Sequence, residues 1–95
     1  MTIEELKTEL EKIISELTTT GFDKINPGIV EKLDKLTAGA GELGMKEGKH
    51  LIENLSSVIK AIREGKSKVE SGNLRLTALE FYVKKLAVGG NIEEL

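Results

Sequence analysis

The chain has no cysteine, no tryptophan and a single proline in 95 residues. Without cysteine there is no disulfide framework and no thiolate zinc site, and nothing argues for secretion. Aromatic residues make up 3 %, one tyrosine and two phenylalanines, which leaves few platforms for stacking on bases. Neither sign of charge dominates: 14 Lys and Arg against 16 Asp and Glu give a net charge of −2, which disfavours a general nucleic-acid binder. No apolar run approaches about 18 residues, so a membrane-spanning helix is excluded. Residues 1–10 are acidic and amphipathic and lack the basic region and apolar core of a signal peptide. What is present is 39 % hydrophobic and 32 % charged residues, the mix of one small globular domain over residues 1–95, with a cytoplasmic location expected.

The apolar residues fall at helical spacing. Thr2 followed three residues later by Glu5 fits a capping box, and Ile3, Leu6, Leu10, Ile13, Ile14 and Leu17 continue on one face. Three threonines and Gly21 end that pattern, which predicts a first helix over about 3–18. Asn26-Pro27 reads as an N-cap with proline at the first helical position, opening a second helix over about 27–43. Gly39, Gly41 and Gly44 are unusual there, because each costs up to about 1 kcal/mol relative to alanine inside a helix. Either that helix breaks near Ala38, or small residues are wanted for close approach. Leu51, Ile52, Leu55, Val58, Ile59 and Ile62 define a third helix over about 46–64. Residues 66–72 read as a polar connector, and Leu76, Leu79, Val83 and Leu86 mark a fourth helix over about 73–87, capped by Gly89-Gly90. Leu74 and Phe81 lie on its opposite side, and Asn91–Leu95 is expected to fray. There is no internal repeat and no strand alternation. Four amphipathic helices on short links predict an all-α, antiparallel up-down four-helix bundle.

Few motifs carry chemistry. Residues 39–44 match GxGxxG, but a helix precedes them, whereas dinucleotide binding needs a strand there. Residues 44–49 resemble a phosphate loop that is one residue short, with His50 where a hydroxyl would ligate Mg²⁺. His50 is the lone histidine, about 130° from the centre of the third helix's apolar face, and should be exposed. Glu47 and Asn54 beside it form a weak ligand set, so no metal and no cofactor is expected. The carboxylate pairs lie on exposed faces, away from any cleft that would perturb a pKa, and no nucleophile–base constellation can be assembled, so no enzyme activity is expected.

The most informative stretch runs from Leu33 to Met45. Its Leu36, Gly41, Leu43 and Gly44 spacing resembles the signature of histidine-containing phosphotransfer (HPt) domains, and Leu51, Leu55 and Ile59 match the apolar positions of the helix that follows. The resemblance covers about residues 27–65. Three departures stand out: Asp34 occupies the position of the phosphate-accepting histidine, Thr37 that of an assisting lysine, and Ala38 that of a small glycine. The resemblance therefore implies an HPt-like bundle without phosphoryl transfer at Asp34, since aspartyl phosphorylation requires Mg²⁺, further carboxylates and a lysine.

In that family the corresponding strip docks a receiver domain. Here it implies a surface of Asp34, Lys35, Ala38, Gly41, Met45 and Lys49, rimmed also by Lys46 and His50. The expected function is a pseudo-HPt interaction module of two-component signalling that binds a receiver or histidine-kinase domain. Two alternatives stay open: a phosphotransfer domain that uses His50 as acceptor, and a structural bundle that self-associates through Leu74 and Phe81. No nucleic-acid or membrane partner is expected.

Overall fold

The computed structural model describes residues 1–22 and 24–89, the last three by backbone alone. Its elements are four helices: α1 Ile3–Thr20, α2 Gly28–Glu42, α3 Lys46–Arg63 and α4 Val69–Gly89. Gly90 of the expected cap and the tail 91–95 lie outside the described residues. None of the described helices is long and apolar enough to cross a membrane.

Local chemistry sets the helix ends. The capping box forms at α1: Glu5 N–H donates to Thr2 Oγ1 at 3.1 Å, and Thr2 N–H donates to Glu5 Oε1 at 3.0 Å. At the other end, the hydroxyls of Thr18 and Thr20 donate back to the carbonyls of Ile14 and Glu16. That back-bonding occupies the polar groups that would otherwise compete with the backbone, and α1 continues through Thr20, two residues past expectation. Asn26 Oδ1 accepts from Gly28 N–H at 2.8 Å, and Pro27 already has helical dihedrals, so the cap expected at α2 is in place.

The glycines of 39–44 do not break α2, which runs to Glu42. Gly44 has φ +75°. Its N–H donates to Gly41 O at 3.1 Å, and Met45 N–H donates to Ala40 O at 2.9 Å. This is a Schellman ending, which also brings the residue after the glycine back onto the last turn. α3 ends the same way at Gly65, with Gly65 N–H on Ile62 O and Lys66 N–H on Ala61 O.

α4 departs most from expectation. It begins at Val69 rather than near Asn73, so four of the seven residues of the expected connector are helical. Gly72 explains this. A Cβ there would lie 2.9 Å from a Phe22 ring carbon and 3.0 Å from Ile62 Cδ1. Only a bare backbone lets the first turn of α4 sit on those two side chains, and that contact outweighs glycine's poor helix propensity.

Helix α2 packs on α3, α3 on α4, and α1 on both α2 and α4. Facing residues give the directions. Gly41 meets Lys49 while Asp34 meets Ser56, so α2 and α3 run in opposite senses. Gly48 meets Tyr82 while Ile62 meets Gly72, so α3 and α4 do too. The molecule measures 37 × 21 × 21 Å, a cross-section of two helices by two at about 10 Å each. One core fills the centre. Leu6, Leu10, Leu33, Ile52, Leu55 and Leu79 are fully enclosed, and Phe22 and Tyr82 close its two ends.

Candidate functional site

Helices α2 and α3 share a long seam whose inner side is set by Leu33, Leu36, Ile52, Leu55 and Ile59. Asp34 follows Leu33 by one residue, about 100° round the helix, and so lies at the edge of that seam. Its carboxylate reaches across. Ser56 Oγ donates to Asp34 Oδ1 at 3.0 Å, and Lys60 Nζ lies 3.8 Å from Asp34 Oδ2. Ser56 is only 3 % exposed, a hydroxyl in an otherwise apolar stripe, and a hydroxyl so buried needs a hydrogen-bond partner. The carboxylate supplies one. The side chains of Asp34 and Lys60 are each more than half exposed, so the ion pair itself contributes little. The charge-assisted bond from Ser56 is the stronger tie between the helices.

Beyond Asp34 the seam is open. Ala38 and Gly41 are exposed one and two turns along, and Gly41 is flanked by the alkyl stem of Lys49, whose Cδ lies 3.6 Å from where a Cβ would stand. Lys35, Lys46, Lys49 and His50 are all exposed, as anticipated. The Thr37 hydroxyl donates to Leu33 O at 2.9 Å within its own helix.

Met45 is a correction. The resemblance implies it on the docking strip, and a helix continued through Gly44 would put it there, but it is 6 % exposed and belongs to the core. The Schellman turn is the reason: α2 has ended, and the residue after the left-handed glycine folds back against Ala40. The surface therefore comprises Asp34, Lys35, Ala38, Gly41 and Lys49 without Met45.

His50 projects from the side of α3 opposite the line of Gly48, Ile52, Leu55 and Ile59. That line lies slightly off the expected one, with Leu51, Val58 and Ile62 only partly buried. Among the described residues no three His, Asp or Glu side chains converge as a metal site would require.

Ser56 and Lys60 were not singled out from sequence. A legible signal was there: serine inside the apolar repeat Ile52, Leu55, Ile59 is a buried polar group in search of a partner. Its pairing with Asp34, 22 residues away, needed the helix register. No family model matches the chain, and no curated protein or solved structure matches it.

Proposed function

We propose that the protein is a non-catalytic docking module of two-component signalling that offers the α2–α3 seam to a receiver domain, and that Asp34 carries no phosphate. One observation carries this reading. At the position where the HPt resemblance places a phospho-acceptor, the side chain is tied across the seam to Ser56 and Lys60, while Ala38 and Gly41 beside it stay open. The nearest groups to the carboxylate are a hydroxyl and an ammonium. Aspartyl phosphorylation instead needs a divalent cation held by further carboxylates. The open small residues let a partner helix approach closely, and the exposed lysines beside them suit an acidic rim on that partner. A histidine-kinase domain is the second partner class for the same face. The reading places the protein in the cytoplasm, where such domains act.

The test is a titration of isotopically labelled protein with receiver domains, read by amide chemical shifts. Shifts should concentrate at residues 34–49, and Ala38→Arg should weaken binding at least about tenfold, the cost of one badly placed interface side chain. Ala38 is preferable to Asp34 as the probe, because Asp34 also holds two helices together. Shifts confined to other faces, unchanged binding by Ala38→Arg, or no binding by any receiver or kinase domain would overturn the proposal. So would a phosphoryl adduct on Asp34 or His50 by intact mass after incubation with a small phosphoryl donor.

A further inference from the structure

Two large apolar side chains stand out on the surface of α4. Leu74 is 72 % exposed and Phe81 62 %. They are seven residues apart, two helical turns, and so share one face, opposite the buried Leu76, Leu79, Val83 and Leu86. Thr77 and Ala78 lie between them and are small. Glu70 sits one turn before Leu74, and Lys84 and Lys85 one turn after Phe81, all three exposed. Lys84 Nζ already lies over the Phe81 ring, 5.8 Å from its centroid.

We infer that this face of α4 pairs with the same face of a second copy of the chain, antiparallel about a two-fold axis passing between Thr77 and Ala78. The order of residues along the helix points to this occupant. A two-fold at that point sets Leu74 of each copy against Phe81 of the other, and Glu70 against Lys84 and Lys85. The apolar contacts and the charges are satisfied together by one self-complementary arrangement. A parallel pairing sets Glu70 against Glu70 and the lysines against the lysines, so the charge order selects the antiparallel one. The small residues at the axis permit the 8–10 Å approach of packed helices. One helix pair buries less than the about 1,200 Å² of a standard interface, so the dimer is weak and reversible. The face lies on α4 and leaves the α2–α3 seam uncovered, so each dimer presents two such seams.

The experiment is sedimentation of the full chain from about 10 µM to about 1 mM, the range that a small interface of this kind calls for. The wild-type protein should pass from monomer toward dimer across that range. Phe81→Glu should remain monomeric throughout, with an unchanged helical circular-dichroism spectrum because the position is exposed. Glu70→Lys alone, and Lys84→Glu with Lys85→Glu, should each weaken association about fivefold, the worth of an exposed ion pair or two. All three changes in one chain exchange the charges and should restore wild-type association. A wild-type protein that stays monomeric at the highest concentration, or association indifferent to Phe81→Glu, would overturn the inference. A triple variant that associates no better than either partial one would overturn the antiparallel register.

Discussion

Adding one methyl group at Gly48 and one at Gly41 should move stability in opposite directions. Both glycines are helical, and alanine is favoured over glycine in a helix by up to about 1 kcal/mol. What differs is the space. At Gly48 a Cβ would stand 2.7 Å from Tyr82 Oη, 2.9 Å from Cζ and 3.0 Å from Cε2. Tyr82 is 2 % exposed and its ring is rigid, so it cannot swing into solvent and must displace its neighbours. Overpacking of this kind costs about 1–3 kcal/mol, and with the propensity gain of up to about 1 kcal/mol set against it Gly48→Ala is destabilised by up to about 2 kcal/mol. At Gly41 the nearest atom is Lys49 Cδ at 3.6 Å, an ordinary contact with an exposed, flexible chain. Gly41→Ala should therefore stabilise by about 0.5 kcal/mol, the discount reflecting its place in the last turn of α2. Urea unfolding with unchanged slope would show the midpoints moving apart. A Tyr82→Leu background should recover at least about 1 kcal/mol of the Gly48→Ala cost through the coupling of the two sites. Parallel shifts of the two single variants, or an additive double variant, would refute the packing argument.

Two further perturbations follow from the hydrogen bonds. Asp34→Ala strands the buried Ser56 hydroxyl and should cost about 1–2 kcal/mol, whereas Lys60→Ala, which removes only the exposed 3.8 Å ion pair, should cost under about 0.5 kcal/mol; chemical denaturation of both measures the difference. The Glu5 carboxyl is held below its ordinary value of 4.5, first by its bond from the Thr2 backbone N–H and then by the Thr2 side chain. Its charged form is thus the one favoured by folding. The contribution is complete above the ordinary value and lost as the pH falls through the lowered one. Amide protection at the first turn of α1, the exchange rate relative to the intrinsic rate at each pH, should therefore fall on acidification below 4.5, and Glu5→Gln should lose that pH dependence.

Three of the four helices were legible to within two residues because their apolar repeats are strong and their ends carry local signals. Thr2 and Glu5, Asn26 and Pro27, and the terminating Gly65 each act within a few residues of their own position. The start of α4 was not legible for the converse reason. Val69 to Gly72 has polar and glycine character that argues for a connector, and what makes it helical is a contact with Phe22 and Ile62 on other parts of the chain. Tyr82 falls at helical spacing with Leu79, Val83 and Leu86 and was open to the same reading as they were.

The candidate site shows where local reading stops. Gly41, Gly44 and Gly48 lie within eight residues and look alike in sequence, yet they answer three different demands. Gly48 yields space to a buried ring, and Gly44 supplies a left-handed turn that no side chain adopts without strain. Gly41 alone meets neither demand, since its φ is not positive and a Cβ there would meet only the Lys49 stem at ordinary contact distance. Stability therefore does not explain glycine at position 41. It is exposed, next to Ala38 and on the same seam as Asp34, whereas the exposure of Gly44 goes with a turn that itself requires glycine. Under the proposed docking function, glycine at this position keeps the seam shallow enough for a partner helix to approach. Gly41→Ala thus joins the two lines of argument: stabilisation of the free protein together with weakened receiver binding is the outcome that a docking seam requires, and stabilisation with binding unchanged removes Gly41 from that surface.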